Sequence, residues 1–314
     1  MKKIYLPLIA IILLLGSCAS PAPIAPATAP AQTALPATEP PPTATNTAIP
    51  PTATTQPSPT PLPGALVIPI TSMQGKIPWL PMDKANAPVV NLVGFNTRQP
   101  PFDNADVRAA FALAIDRVVI AEMAAKYTRM PCTPATTLTP PSVLGLDLYG
   151  QAGWGYDPVA AAQMLAQAGY QSGESFPKVT ILVTARGDVA PGARFNMATK
   201  MAEMWKQALG VTVEVKTTTL AFKPAYEQHQ PHMYWFGWVA DINDPSNFLD
   251  ELYHSGKDYN WGGYSSADFD SLVEKARAPS SPAFRQRLYV QAEQWLTETD
   301  HALIPLYHTS MALP

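Results

Sequence analysis

Two hydrophobic periods alternate along the chain from about residue 89. VVNLVGF (89–95) is β-branched and apolar throughout, as a buried strand is. KVTILVT (178–184) and MYWFGWVA (233–240) share that character. VTVEVKTTT (211–219) alternates apolar and polar with period two, and HALIPLYHTSMAL (301–313) closes the series as a strand. Between these runs the spacing turns helical. Val107, Phe111, Leu113, Ala114, Val118, Ile120 and Met123 predict one helix over 105–126, with Asp103 as its candidate cap. Asp157-Pro158 opens a second helix, because an Asp side chain accepts from orphan N–H groups and Pro suits the first turn; Gly169 ends it. Further helices are predicted over 192–209, stopped by Gly210, over 244–252, over 267–277 and over 282–299. Strands alternating with helices predict an α/β layered fold.

One junction carries candidate chemistry. GWVADINDP (237–245) places Asp241 and Asp244 just after the aromatic strand. Asp244 precedes Pro245 and reads as a helix N-cap. Asp241 has no such local reason, so it is open between a structural hydrogen-bond role and a charged anchor in an aromatic-lined pocket. Along the strand Trp235 and Phe236 point to opposite faces, so one belongs to the core, and Trp238 shares the face of Phe236.

Composition divides the chain. MKKIYLPLIAIILLLGSCAS begins with two lysines and an uncharged apolar run over 6–15, too short for a comfortable membrane span. It reads as a signal peptide (1–17). Leu15-Gly16-Ser17-Cys18 resembles a lipobox, with the Cys18 thiol as acyl acceptor. Each buried acyl methylene contributes about 0.8 kcal/mol, so two or three chains would anchor the mature protein on a membrane. Residues 19–64 hold 14 of the 35 prolines and a single charge, Glu39. Such a stretch cannot bury enough apolar surface to offset its ordering entropy, so 18–64 is expected to be a disordered tether. Its polyproline reach is on the order of 140 Å. Residues 65–314 read as the globular part. A formal charge of −3, without a basic run, makes nucleic acid an unsuitable partner. Only Cys18 and Cys132 occur; with Cys18 acylated, no disulfide frames the fold and Cys132 reads as a quiet small residue.

Six stretches, in order and at matching spacing, resemble one family. They are FNTRQPPFDNADVRAAFALAIDR (95–117), YDPVAAAQMLAQAGY (156–170), MWKQALGVTVEV (204–215), GWVADINDPSNFLDELYHS (237–255), YSSADFDSLVEKA (264–276) and IPLYH (304–308). The family is that of the extracellular solute-binding proteins, family 5, the oligopeptide-, dipeptide- and nickel-binding receptors of ABC importers. The resemblance implies a type II periplasmic-binding-protein-like α/β fold, of which this chain matches the C-terminal lobe. Residues 64–88 are too few for a second lobe of comparable size, so the expectation is a single lobe (65–314) on a lipid-anchored stalk. The resemblance also implies hinge closure on a solute, with permease and ATPase subunits as partners and the extracytoplasmic membrane face as location. In peptide-binding members the acid of the GW-AD motif holds the peptide's amino group, here Asp241, and Trp238 would supply apolar wall. A buried ammonium needs such a carboxylate partner.

Other classes are less well supported. The chain has no G-x-S-x-G elbow, H-E-x-x-H helix, P-loop or Rossmann glycine fingerprint, so an enzyme is not expected, and no catalytic residue, cofactor or metal is assigned. His229 and His232 in HQPH could in principle share a metal, but the polar surroundings and Pro231 argue for a loop. Arg186, Asp188 and Arg194 read as solvated charges at a helix start. The alternative to solute capture is a lone-lobe accessory or surface interaction module, from a truncated or split receptor, without transport activity.

Overall fold

A computed structural model describes residues 86–144, 152–171, 173, 175–185, 192–278 and 280–311. The leader, Cys18, the proline-rich stretch, Arg186 and Asp188 lie outside the described residues.

The centre of the fold is β1 (Ala87–Phe95), in which every residue is buried. It is covered on both faces and both edges. β5 (Met233–Val239) and β6 (Leu303–Met311) pair with it antiparallel. β3 (Val179–Thr184) runs parallel to β5 and to β4 (Val213–Thr218). A two-residue β2 (Thr133–Pro134) completes a six-stranded sheet of order β2-β6-β1-β5-β3-β4. Period-two alternation divides the strands between two cores. Val93, Phe95, Ile181, Trp235 and Ile304 pack beneath α1 (Ala105–Leu113), α2 (Arg117–Thr128), α4 (Pro158–Gln167) and α5 (Ala193–Leu209). Val90, Leu92 and Leu303 pack on the other side with α7 (Leu249–Tyr253), α8 (Ala267–Arg277) and α9 (Pro282–Gln294). The short α3 (Pro141–Leu144) and α6 (Phe222–His229) complete the helices, α6 lying over Leu182 and Tyr234.

The expected α/β layering is present, with local differences. The single helix expected over 105–126 is two. Asp116 breaks it: its carboxylate accepts from Val118 N at 3.0 Å and Val119 N at 3.4 Å, starting α2 afresh. Arg117 then turns inward, donating to Pro305 O at 2.8 Å. Asn104, not Asp103, caps α1, its side chain accepting from Asp106 N at 2.8 Å. Asp157 caps α4 as expected, and Gly210 ends α5 at φ 71°. The last helix continues as a π-helical turn, Trp295–Thr299. α6 was hidden because Pro224 interrupts its pattern. A proline in the first turn costs no helical hydrogen bond, since those N–H groups are unpaired anyway. His229 therefore ends a helix rather than lying in a loop. His232 takes a structural role, Nδ1 accepting from Thr180 N at 3.2 Å. Cys132 is half-buried, 3.7 Å from Thr128 Oγ1.

Buried titratable groups give the fold a defined pH response. Burial holds the imidazoles of His301 and His308 down to about 4. Burial pushes the Glu293 carboxyl up to about 7, although it accepts from the N–H groups of Leu138 and Thr139. Between pH 4 and 6.5 the unfolded imidazoles bind protons that the folded ones refuse, so their contribution raises stability with pH. Glu293 has the opposite sign between about 4.5 and 7, where only the folded state keeps its proton. His232, lowered by burial and then by Lys216, adds to the first group; Glu298, raised by burial, adds to the second. The imidazoles outnumber the opposing carboxyls in depth of shift, so stability is expected to rise from pH 4.5 to 6.5. His308→Asn leaves His301 against Glu293 and should flatten that limb. Urea midpoints at the two pH values check this; an unchanged limb in the variant would contradict it.

Candidate functional site

The site grows from the end of β5. Trp235 is core, only 2% exposed, and its indole donates to Asn91 Oδ1 at 3.2 Å. Phe236 and Trp238 lie on the opposite face, half-buried and stacked with ring centroids 6.1 Å apart. The expected division of the aromatics between two faces therefore holds. Other elements extend the wall. Phe222, at the start of α6, meets Phe236 at 4.8 Å and Trp261 at 5.5 Å. Tyr259 meets Trp238 at 4.9 Å, edge to face, and Trp261 at 6.1 Å. Phe222, Tyr259 and Trp261 had no signal in the sequence beyond being aromatic; they are 14 or more residues from Phe236 and only tertiary packing brings them in.

A groove of about 310 Å³ opens beside this wall. It is lined by Thr184 at the end of β3, Arg194 in the first turn of α5, Ala221 and Phe222, and by Trp235, Phe236 and Gly237 of β5. β3 and β5 are parallel, so their carboxyl ends open into one crevice, where open α/β sheets place ligands. Arg194 differs from its expected role as a solvated charge. It is half-buried, and its Nη1 donates to the Thr184 carbonyl at 3.1 Å. The α5 start is formed by Gly192 at φ 73°, with no side-chain cap.

Asp241 is exposed. That departs from the expectation of an anchor within an aromatic-lined pocket: neither Asp241 nor Trp238 is among the residues that line the groove. The Asp241 backbone is nevertheless held, because its N–H donates to Asn247 Oδ1 at 2.9 Å. The same oxygen accepts from Trp238 Nε1 at 3.1 Å. Trp238 and Asp241, the two residues singled out in the sequence, are thus joined through Asn247, which was not.

Asp244 is buried and caps the 3-10 turn Pro245–Asn247 as expected, accepting from Ser246 N at 2.9 Å and Ser246 Oγ at 2.6 Å. A second role was not visible in sequence. Arg285, 41 positions later on α9, grips the same carboxylate with Nη1 at 2.6 Å and Nη2 at 2.9 Å. Burial alone would raise the Asp244 carboxyl; the bonds from Arg285 and Ser246, with the guanidinium charge, outweigh it and hold it below its ordinary value. Such two-pronged charge-assisted bonding is geometrically specific, so the loop between Asp241 and Asn247 is anchored to the helical layer. Among the described residues no group of three or more His, Cys, Asp or Glu is placed to hold a metal ion. Among the same residues no helix is long and apolar enough to cross a membrane.

The profile of the bacterial extracellular solute-binding proteins, family 5 Middle, matches residues 61–260. The periplasmic oligopeptide-binding protein OppA of Escherichia coli K12 is 30% identical over 218 residues, covering 68% of this chain and 38% of that protein. The probable deoxycholate-binding periplasmic protein YgiS of the same organism is 31% identical over 221 residues, covering 68% and 39%. Among solved structures, the Escherichia coli murein tripeptide binding protein MppA superposes with a TM-score of 0.62 at 24% identity, over 73% of this chain and 45% of that one. A dipeptide binding protein from Pseudoalteromonas sp. SM9913, in complex with Met-Leu, gives 0.60 at 26% identity, over 72% and 44%. The chain thus spans under two fifths of the length of OppA and YgiS, consistent with one lobe of the type II periplasmic-binding-protein-like fold. With that profile over most of its length, the six ordered motifs and the shared fold, the chain belongs to the bacterial extracellular solute-binding proteins of family 5, a family of binding proteins rather than enzymes.

Proposed function

We propose that this chain captures peptides or similar small solutes for an ABC importer, with Asp241 as the anchor for a cationic amine and Trp238 as apolar wall. The observation that carries the reading is an exposed carboxylate two residues beyond the aromatic end of β5, its backbone tied to Trp238 through Asn247 Oδ1. Aromatic walls accept varied side chains, while a single placed charge fixes orientation. The names of the relatives support it: OppA is an oligopeptide-binding protein, and the Pseudoalteromonas protein holds Met-Leu. Asp241→Asn keeps the shape and removes the charge. For an exposed carboxylate the expected loss lies near the lower end for a charge-assisted hydrogen bond, about tenfold in affinity or ~1.4 kcal/mol. Calorimetry with tri- and tetrapeptides reads this directly, and equal affinity in the variant would remove Asp241 from the site.

The same reading places residues 18–64 as a tether and Cys18 as the acylated residue. This puts the protein on the extracytoplasmic face of the cell membrane, or on the periplasmic side where an outer membrane is present. Its partners are then the permease and ATPase subunits. Labelled palmitate fed to an expressing bacterium should mark the wild type and leave Cys18→Ser unmarked; equal labelling would rule the anchor out.

The openness of the wall favours a second reading. Tyr259, which packs on Trp238, is 42% exposed, so a protein partner could cover this face instead of a solute. The chain would then be an accessory interaction module without transport activity. A wild type that binds no small solute, but whose binding to a protein partner is lost in Trp238→Ala, would favour that reading.

A further inference from the structure

We propose that Asn247 is the positioning residue of the site, fixing the Trp238 indole and the Asp241 main chain relative to each other through one side-chain oxygen. This rests on the reading of Asp241 and Trp238 as ligand contacts. Asn247 is buried, 8% exposed, and ends the 3-10 turn Pro245–Asn247. An amide oxygen has two acceptor sites. Here both are used, by Trp238 Nε1 at 3.1 Å and Asp241 N at 2.9 Å. The two donors belong to different elements, the end of β5 and the loop beyond it, and among the described residues neither donor makes another hydrogen bond.

The acceptor itself is held from behind. Asn247 N donates to the Asp244 carbonyl at 3.0 Å, and the Asp244 carboxylate is locked by Ser246 and Arg285. Orientation therefore passes from α9 through Arg285 and Asp244 to the turn, and from Asn247 to wall and acid. Losing the oxygen leaves Trp238 with ring contacts alone and its N–H unpaired, a state that drives the indole to another rotamer.

The test uses the full-length chain with 5-fluorotryptophan in place of its seven tryptophans, the Trp238 signal being assigned by its loss in Trp238→Phe. Asn247→Leu keeps the volume and removes the acceptor. It should move the Trp238 fluorine signal, raise amide exchange at Asp241 at least tenfold, leave Trp154, Trp205 and Trp295, which lie outside the aromatic wall, unmoved, and weaken trialanine binding about tenfold. Asn247→Asp keeps an acceptor and should restore the Trp238 signal and the Asp241 protection. If Asn247→Leu does not fold, Asn247→Ser, too short to reach both donors, replaces it with the same expectations. An unmoved Trp238 signal with unchanged Asp241 exchange would overturn the proposal, reducing Asn247 to a packing residue, whatever the melt shows. If trialanine fails to bind the wild type, the peptide reading is what falls; the fluorine and exchange data still decide the role of Asn247.

Discussion

Trp205→Ala is expected to cost about 3–5 kcal/mol of stability, the range for removing a large buried aromatic. Trp205 is fully buried at the centre of the core under α5. Its ring lies 5.3 Å from that of Phe111, which in turn contacts Phe102 at 4.9 Å and Phe176 at 5.4 Å. Truncation empties a cavity that this aromatic chain cannot collapse into without moving α1 or α5. It also removes the bond from Trp205 Nε1 to the Phe111 carbonyl at 2.9 Å. That carbonyl lies near the end of α1, where helical carbonyls have few partners of their own. For a domain of this size each kcal/mol shifts the midpoint by about 2–4 °C, so the melting temperature should fall by roughly 6–20 °C. Trp205→Phe keeps much of the volume and loses the hydrogen bond, so it should cost about a third as much. A fall of under ~3 °C for the alanine variant would show that this core is not packed as described.

Asp244→Asn should be the second costly change, and for a reason the sequence hides. Read as a cap alone, the position would tolerate asparagine, which caps helices well. The Arg285 pair changes that expectation. Side-chain exposure is 5% for Asp244 and 20% for Arg285, so removing the carboxylate takes away the charge that balances the guanidinium in a mostly dry site, where its bonds to Ala276 O and the Tyr289 hydroxyl remain. Breaking such a pair costs about 3–5 kcal/mol when fully buried, and the residual access of Arg285 places this one near ~3 kcal/mol. Arg285→Met should cost a similar amount. The double variant should cost clearly less than the sum, because neither charge is then left alone. Strict additivity, or single-variant losses below ~0.5 kcal/mol, would refute the coupling. The pH dependence has a fixed sign. The Asp244 carboxyl lies below its unfolded value of 3.8, so its contribution is full above that value and fades as acid protonates it. The gap between wild type and Asp244→Asn should close under acid accordingly.

Local chemistry made much of the fold legible. The β-branched runs at 89–95 and 178–184 are buried strands, and the Asp157-Pro158 and Asp244-Pro245 pairs begin helical turns. Each of those signals acts within a few residues. The split between α1 and α2 was missed because the apolar spacing continues across Asp116, whose capping bonds interrupt the backbone but not the pattern. The strand order was not readable either, since β1 and β6 pair across more than 200 positions. In the site, Asp241 and Trp238 stood out because they lie in one motif. Their supports did not: Phe222, Tyr259 and Trp261 are ordinary aromatics until packing assembles them, and Arg285 lies in the polar first part of α9, where a charge is unremarked. Arg194 read as a solvated charge because nothing local marks the groove it lines.

Asp241 is proposed to recognise a cationic amine close to the aromatic end of β5. The most direct test of this is isothermal calorimetry of the full-length protein with paired peptides, identical but for N-terminal acetylation. The free-amine member of each pair should bind about tenfold more tightly to the wild type, and the difference should vanish in Asp241→Asn. Equal affinity of the wild type for free and acetylated peptides would contradict the account.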